Sequence, residues 1–523
     1  MAKVLLINPV VRQEDTPKHI PYGIAQLAAL ADQAGHQVQI FDANAWRPDN
    51  ETICSILTAD NWDIIGLGGI STTYGWVKKT LKYAKELSPQ SLRVVGGGLL
   101  TSMPHDLMKL LPEIDLGVVG EAFVTFPEIL RKVNEKKTDW YSVLGVIWRD
   151  IKGKCYLAPP RPLAQDIDQL PYPAWDMLPM EIYFQNSALL YSEESFTSKR
   201  RMDVNGSFGC PFICRFCFHL GLAGDLQYEN PQNPAADVVF THDRINRMHS
   251  PQYIVKMVKH MQEKYGIDFI IFFDENLLAM NSASKNKWIP ALCKLWIEEG
   301  LQPQCVRDQV LHDPEKCHGV HWGGTSHAAL ANPEILKTMH ESGCSQLVYG
   351  YESFSKRVLK NVGKGSTPKT NEYSLKITLE AGIRPLPNQI MGFPDDWLDS
   401  LIDCVEAWER LDIVVRPFFA TPYPGSEWFN KYRTEILKQY GGCGPDDLKA
   451  LDAFMLDLGD ATDLTAVICE NLNRVELLGL RELMIKRDIR RLKEYQAEWL
   501  KTHGEPKFSD VRWVPAAKRN RLN

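Results

Sequence analysis

The sequence predicts an α/β protein with a doubly wound amino-terminal domain, a partial parallel (β/α) barrel and a helical carboxyl-terminal region. Apolar strand-like runs alternate with helix-like segments over the first ~135 residues and again from about residue 204 to 422. The last ~90 residues are mainly helical in pattern. A chain of 523 residues is too long for one ordinary core, so about three domains are expected.

The amino-terminal domain is predicted to span residues 1–140. Its strands are expected at residues 3–8, 37–41, 63–68, 92–95 and 115–119, with a helix at 23–34. Such alternation implies a parallel sheet with helices on both faces, and these sheets bind ligands at the carboxyl ends of their strands. Residues 141–195 are rich in proline and are predicted to be a linker.

Small and polar residues follow the third and fourth predicted strands. They include Gly69, Ser71, Thr72, Gly97 and Gly98. Glycine allows a ligand to approach the backbone, and exposed N–H groups suit phosphate. The pattern fits a ligand site and tight turns alone equally well.

A second strand–helix series over residues 196–430 predicts the barrel. Its strands are expected at residues 204–208, 269–273, 346–351, 384–390 and 414–420, and helices at 251–265 and 333–342. Residues 431–523 form the predicted helical region, in which 473–500 carry apolar residues at roughly helical spacing.

Three clustered cysteines form the central motif. Cys210, Cys214 and Cys217 make a CxxxCxxC that follows a predicted strand and Gly209. Three thiolates can hold three irons of a [4Fe–4S] cluster and leave the fourth iron open. A structural zinc site expects four ligands, usually as two separated pairs, and the chain has no second CxxC. A disulfide would leave an odd cysteine, and unligated buried cysteines are the remaining alternative.

Composition argues against several classes of protein. With 59 basic and 65 acidic residues the net charge is −6, which does not favour general nucleic-acid binding. No apolar run approaches the ~20 residues of a membrane helix. The amino terminus has the pattern of a first strand rather than of a signal peptide. Twelve cysteines without dense disulfide spacing favour a cytoplasmic protein.

The cysteine motif resembles the signature of the radical S-adenosylmethionine (SAM) superfamily. Further strings along residues 1–430 resemble, in order, the subgroup with an amino-terminal cobalamin-binding domain. They lie at residues 21–27, 96–101, 120–125, 173–176, 273–276, 350–353, 392–394 and 421–425. The resemblance implies a Rossmann-like (flavodoxin-like) first domain and a TIM-type partial barrel.

The same resemblance implies the cofactors. A [4Fe–4S] cluster would bind SAM through the amine and carboxylate of its methionyl group. One electron, from a donor such as flavodoxin or ferredoxin, would cleave SAM into methionine and a 5′-deoxyadenosyl radical that abstracts hydrogen from the substrate. Cobalamin would bind in the first domain.

Particular residues follow from this resemblance. Phe216, Asp274, Glu352 and Ser353 are expected near the cluster and SAM, and Glu121 and Tyr74 near cobalamin with the five small residues above. A structural ion pair is the alternative for Glu352, and a surface turn for Asp274 with Glu275 and Asn276. Tyr74 or Trp76 would shield cobalt or else pack between domains.

The chain departs from the subgroup at one motif. Many cobalamin domains carry Asp-x-His-x-x-Gly, whose histidine ligates cobalt, and residues 1–140 lack it. His19, His36 and His105 do not have that context. The sequence therefore predicts cobalamin without a histidine on cobalt, with a degenerate, empty domain as the alternative.

Two further features have two interpretations each, and a third has one. His327 is a candidate acid or base, or simply a hydrogen-bonded histidine. The connector at 218–250, with His219, Tyr228, Arg244, Arg247 and His249, is a candidate lid or a surface excursion. A second cluster is not expected from the widely spaced Cys305, Cys317, Cys344, Cys443 and Cys469.

The resemblance implies methyl transfer from methylcobalamin to an unactivated carbon of the substrate. Oxidative cyclisation or rearrangement without methyl transfer is the rival chemistry, and a non-enzymatic cobalamin sensor or carrier is the rival class. A tRNA methylthiotransferase fits less well, because a basic carboxyl-terminal RNA domain and two further cysteine triplets are missing. The acceptor, which could be a small metabolite, lipid, tetrapyrrole or peptide side chain, is not predicted.

Overall fold

The structure, a computed structural model, describes residues 1–187, 198–218, 224, 226–228, 238–239, 245–313, 316–510 and 512. Much of the predicted lid, including His219 and Arg244, lies outside these residues.

The amino-terminal sheet contains seven of the described strands in the order β2-β1-β3-β4-β5-β6-β7. They are β1 (Lys3–Asn8), β2 (Gln37–Asp42), β3 (Ile64–Leu67), β4 (Leu92–Val95), β5 (Leu116–Val118), β6 (Val146–Arg149) and β7 (Cys155–Leu157). The first five pair in parallel, and all five were predicted. Leu6 and Ile7 lie in two different hydrophobic cores, so both faces of the sheet are covered.

The sheet continues beyond the predicted boundary at residue 140. β6 and β7 add to it in antiparallel fashion, so part of the predicted linker is sheet. Gly117 explains the close fit of β6, because a Cβ there would lie 2.6 Å from Ile147 of β6 and 2.5 Å from Leu100. The missing side chain on β5 makes room for both apolar side chains.

Seven described helices belong to this part of the chain, and one more lies in the connector to the barrel. They are α1 (Tyr22–Gln33), α2 (Ala43–Trp46), α3 (Asn50–Thr58), α4 (Tyr74–Leu87), α5 (Gly97–Ser102), α6 (Pro104–Leu110), α7 (Thr125–Asn134) and α8 (Met180–Ser187).

The second sheet is a half barrel whose described strands pair in parallel in chain order, β8-β13-β14-β15-β16-β17. Beside this sheet, short strand β9 pairs with β12, and β10 pairs with β11, both in antiparallel fashion. The strands are β8 (Arg201–Val204), β9 (Ser207–Phe208), β10 (Gln227–Tyr228), β11 (Val238–Val239), β12 (Arg247–Met248), β13 (Phe269–Phe272), β14 (His321–Ser326), β15 (Cys344–Glu352), β16 (Arg384–Met391) and β17 (Phe418–Phe419).

Sequence analysis missed β14, whose residues are polar and rich in glycine. Its glycines have a packing role, since a Cβ at Gly323 would lie 2.6 Å from the carbonyl oxygen of Gln346 on β15. A central strand can therefore lack the apolar pattern that identifies strands from sequence.

Helices connect the barrel strands. They are α9 (Pro251–Tyr265), α10 (Leu277–Ala283), α11 (Trp288–Glu298), α12 (Gln304–Arg307), α13 (Pro333–Ser342), α14 (Lys356–Asn361), α15 (Pro368–Glu380) and α16 (Leu398–Leu411). α9 has the predicted bounds because Ser250 caps it by accepting from Tyr253 N at 3.1 Å, and Gly266 ends it at a φ of 65°.

The carboxyl-terminal helices pack in two pairs, α17 (Glu427–Gln439) with α18 (Leu448–Asp457) and α19 (Arg474–Ile485) with α20 (Ile489–His503). The first pair shares a core with the amino-terminal sheet, and the second packs on α16. The helical pattern at 473–500 is thus two helices, separated where Arg487 adopts a φ of 53°. Among the described helices, none has the length and apolar character needed to cross a membrane.

Candidate active site

The three clustered cysteines lie in the loop that follows β9. Cys210 and Cys214 are buried, and the amide of Cys217 donates to the carbonyl oxygen of Cys214 at 3.2 Å. A hydrogen bond with the Cys214 thiol, together with desolvation, raises the pKa of Cys217. Asn276 Nδ2 lies 3.9 Å from the Sγ of Cys210. The fold therefore brings three thiols to one place, as a site-differentiated cluster requires.

A segment after α14 supports this cysteine loop. Arg215 donates from its amide to Val362 O at 3.0 Å and from its guanidinium to Asn361 O at 2.9 Å. A Cβ at Gly365 would lie 3.1 Å from the ring of Phe212. Gly365 has a φ of 76°, so both its backbone conformation and the close packing favour glycine.

Lys364 lies in this supporting segment and pairs with Glu352, its Nζ 2.8 Å from Oε1. Both side chains are buried. Burial alone would lower the pKa of Lys364. The Glu352 carboxylate and the sulfurs of Cys214 and Cys217 outweigh this effect, so the pKa of Lys364 is raised. A cation beside these sulfurs stabilises their thiolate forms, which are the forms that bind iron.

Glu352 itself adopts a left-handed backbone conformation at the end of β15. Its φ is 60°, and the pairing of β15 with β16 shifts register between Gly350 and Glu352. A Cβ at Gly350 would lie 2.4 Å from Glu352 Oε1. Strained non-glycine residues of this kind occur at functional sites.

Lys364 was not predicted from the sequence as a site residue. The one sequence signal for it was its position between two glycines, Gly363 and Gly365.

The acidic residues after β13 have different roles. Asp274 accepts from Ser207 Oγ at 2.5 Å and from Gly206 N at 3.0 Å, and burial raises its pKa to about 7. Both its oxygens thus support the turn between β8 and β9, and its contact with a cofactor remains a prediction. Glu275 accepts from Gly209 N at 3.1 Å and so lies beside the cysteine loop.

Two other residues predicted near the cluster and SAM are Phe216, in the loop itself, and Ser353, after β15. The ring of Phe216 is 5.9 Å from those of Phe393 and Trp428. The hydroxyl of Ser353 accepts from Ser355 N at 3.0 Å and lies 3.5 Å from the sulfur of Cys404, so it is held within the core.

His327 is a structural histidine. Its Nε2 donates to Lys364 O at 2.6 Å, its Nδ1 accepts from Ala329 N at 3.1 Å, and its ring stacks on Phe212 at 3.7 Å. Burial, and then the charge of Lys364, lower its pKa to about 3. The hydrogen-bonded interpretation of His327 therefore fits the structure, and the acid–base interpretation does not.

The carboxyl edge of the amino-terminal sheet carries the predicted glycines. A Cβ at Gly97 would lie 2.8 Å from Gly69 O, so the two loops touch through their backbones. Thr72 Oγ1 is buried and has no hydrogen-bond partner within the described residues. Ser71 is buried beside it. A closely packed glycine edge with an unsatisfied hydroxyl fits the polar tail of a nucleotide-like cofactor.

Two residues expected at this edge make contacts within the protein. The ring of Tyr74 is fully buried, and its hydroxyl donates to Asp452 of α18, so it packs between domains. Glu121 is 2.7 Å from Arg247 NH1 and accepts from Ala164 N at 2.9 Å. The direct contacts of Tyr74 and Glu121 with a cofactor remain predictions beside these protein contacts.

The carboxyl edges of the two sheets meet at the cysteine loop. The ring of Phe218, the residue after Cys217, packs against Gly98 and Gly425. A Cβ on Gly98 would lie 3.7 Å from this ring, and a Cβ on Gly425 would lie 2.5 Å from it. From the other side, His19 packs edge-on against Phe273 with ring centroids 4.5 Å apart. Ligands bound at the two edges would therefore be neighbours across this boundary.

Comparison with known families agrees with this geometry. Residues 9–130 match the B12 binding domain family, and residues 204–406 match the radical SAM superfamily. The chain thus belongs to the radical SAM superfamily. Within it, the chain is one of the enzymes that carry a B12-binding domain, whose cofactors are a [4Fe–4S] cluster, SAM and cobalamin.

Individual relatives include two named activities. The chain is 28% identical over 431 residues to an uncharacterized methyltransferase of Pyrococcus horikoshii, covering 81% of this chain and 82% of the relative. It is 23% identical over 422 residues to the anaerobic magnesium-protoporphyrin IX monomethyl ester cyclase of Rubrivivax gelatinosus, covering 80% and 67%.

Among solved structures, the fold is similar to the radical SAM methyltransferase TsrM of Kitasatospora setae with cobalamin and a [4Fe–4S] cluster bound. The TM-score is 0.62 at 16% identity, over 85% of this chain and 79% of TsrM. At this identity the likeness establishes the shared fold.

We expect replacement of Cys210, Cys214 and Cys217 together by alanine to abolish the visible absorption of the cluster and SAM cleavage, because these thiolates hold the irons. Iron and sulfide analysis after anaerobic reconstitution, with a 5′-deoxyadenosine assay, measures both. The exposed Cys443 supplies the control variant, Cys443→Ala, which should retain both. Full cluster content in the triple variant would contradict the assignment.

Glu352→Gln is expected to weaken SAM binding while the cluster still assembles, because the glutamine amide oxygen can still accept from Lys364 Nζ. Loss of one hydrogen bond to a charged group costs about 1.5–3 kcal/mol, which corresponds to roughly a 10- to 100-fold rise in Kd. Equilibrium binding of SAM to the reconstituted protein gives the Kd. Glu427→Gln is the matched control, because Glu427 also pairs with the cysteine loop, through Arg215 at 3.1 Å. Equal affinities in wild type and Glu352→Gln would rule out this role.

Proposed function

We propose that the protein methylates an unactivated carbon of its substrate. The observation that carries this proposal is the meeting of the two sheet edges at Phe218, between the cysteine loop and Gly98. Methylation of such a carbon needs a hydrogen-abstracting radical and a methyl donor within reach of one atom. The methyltransferase among its relatives also supports it.

The proposed roles of the residues follow from their positions. Cys210, Cys214 and Cys217 would hold the cluster, and Glu352 would bind SAM with Lys364 keeping its carboxylate in place. Gly69, Gly97, Gly98, Ser71 and Thr72 would line the tail of cobalamin. When bound, the cluster with SAM supplies the hydrogen-abstracting radical, and cobalamin supplies the methyl carrier.

The overall reaction balances with two molecules of SAM. One substrate C–H bond, two SAM cations and two electrons give the methylated product, S-adenosylhomocysteine, 5′-deoxyadenosine and methionine. The electrons require a reductant, for which flavodoxin or ferredoxin is the proposed class. Phe273, 46% exposed after β13, and Glu275 offer an apolar and an acidic contact to the substrate.

Radical cyclisation without methyl transfer is the second candidate, and the similarity to the anaerobic cyclase favours it. The same two edges would serve that chemistry. The two candidates differ in what happens to SAM, since a cyclase has no reason to form S-adenosylhomocysteine.

We expect reconstituted protein, given a reductant, SAM with a deuterated methyl group and a small-molecule extract of the source cells, to form S-adenosylhomocysteine and 5′-deoxyadenosine together. Mass spectrometry should find equal extract-dependent amounts of both, and a product that gained the labelled methyl group. 5′-Deoxyadenosine without S-adenosylhomocysteine would support the cyclase instead. The triple cysteine variant supplies the background, and formation of neither product would support a sensor or carrier.

Cobalamin is expected to bind without a protein histidine on cobalt. His19 Nδ1 is 3.1 Å from Asp203 Oδ2, and His36 lies at the amino edge of the sheet, where it accepts from Ala2 N. His105 lies on α6, against α18. After reduction to cobalt(II), the electron paramagnetic resonance spectrum should lack nitrogen splitting. Splitting that disappears in His19→Ala or His105→Ala would disprove this, and failure to retain cobalamin would indicate a degenerate domain.

A further inference from the structure

A second group of metal-ligand side chains lies at the opposite end of the barrel sheet from the cysteine loop. Cys305 is on α12, His312 and Cys317 are in the connection that follows, and His321 is the first residue of β14. One ligand atom from each lies within 4.8 Å of the others. We call these four residues the Cys2His2 group.

The distances within the group match one tetrahedral ion. Cys305 Sγ lies 3.5 Å from His312 Nδ1 and 3.3 Å from His321 Nε2. A tetrahedral zinc ion with Zn–S bonds of about 2.3 Å and Zn–N bonds of about 2.0–2.1 Å separates its sulfur and nitrogen ligands by roughly 3.5 Å. The two imidazole rings are nearly perpendicular, at 81°, so both can direct a nitrogen to a common point.

The mixture of ligands distinguishes zinc from an iron–sulfur cluster. In a two-iron cluster with two cysteines and two histidines, the thiolates bind one iron and the imidazoles the other. Here the sulfur of Cys305 lies within 3.5 Å of both imidazoles, an arrangement that fits one ion bound by all four side chains. Two thiolates with two imidazoles are a usual set for structural zinc.

The backbone builds this site independently of any ion. Gln304 N donates to His318 O, and Val320 N donates to Leu301 O, both at 2.8 Å. These hydrogen bonds hold the start and the end of the connection side by side. Gly319, at a φ of 108°, allows this, because a Cβ there would lie 2.6 Å from Gln302 O.

Burial is graded across the group. Cys305 and His321 are buried, while His312 and Cys317 are partly exposed. Cys305 N donates to Cys317 Sγ at 3.3 Å. An amide directed at this sulfur favours its thiolate, and the exposed side gives an ion a route to the site.

We propose that Cys305, His312, Cys317 and His321 bind one structural zinc ion. All four positions of the ion are filled by protein, so the ion has no place for a substrate. It closes the connection between α11 and β14 at the amino end of the strand. The carboxyl end of β14 leads to His327, which stacks on the cysteine loop. The six residues of β14 separate the two ends by about 16–20 Å.

The test is metal analysis of full-length protein produced in medium with iron and zinc and purified anaerobically. We expect about one zinc per chain beside the ~four irons of the cluster. The Cys210, Cys214 and Cys217 triple alanine variant removes the other group of thiols that could take zinc, and it should keep its zinc. Cys317→Ser should lose zinc and keep the cluster, while Cys443→Ser, the exposed control, should keep both.

X-ray absorption at the zinc edge of the wild type tests the site without relying on any variant. Two sulfurs at about 2.3 Å and two nitrogens at about 2.0–2.1 Å are expected. Wild-type protein without zinc, zinc that persists in Cys317→Ser, or a first shell with another composition would each overturn the proposal. These readouts do not depend on methyl transfer, so the proposed function can fail while the zinc site stands.

Discussion

The buried ion pair between Lys364 and Glu352 is the interaction on which the active-site end of the barrel depends. Two charges removed from water are costly unless they pair, and here each has a close partner at 2.8 Å. Lys364 lies between two glycines with left-handed φ, and Glu352 has a left-handed φ itself. The pair therefore joins two segments with left-handed backbone residues, beside the cysteine loop.

The loop is also where the two α/β units complete one another. Phe218 fills the space left by Gly98 on one side and Gly425 on the other. Glu121 and Arg247 add an ion pair across the same boundary. Side chains of one unit thus pack against the ligand-binding edge of the other, so each cofactor site depends on both units. The carboxyl-terminal helices α17 and α18 pack on the amino-terminal sheet and share its hydrophobic core.

The two ends of the barrel sheet carry residues of different character. The carboxyl ends of the strands carry strained, charged and partly exposed residues, which suits chemistry. The amino end of β14 carries the Cys2His2 group, where close backbone hydrogen bonds and four neighbouring ligand side chains suit stability. A polar, glycine-rich strand gains less from apolar packing than its neighbours, so an ion at its start would compensate.

The sequence by itself determined the alternation of strands and helices, the five parallel strands of the first sheet, the cysteine motif and the family, but not β6, β7 or β14. These depend on local patterns, namely apolar runs, glycine and proline positions and the spacing of three thiols. Tertiary structure decided the rest. It brought Lys364 to Glu352, joined Cys305 with His312 and His321, and placed Asp274, Glu121 and Tyr74 in structural contacts. These partners lie from 7 to 378 residues apart in the chain. Local spacing does not record which of these groups will meet when the strands align and the helices pack.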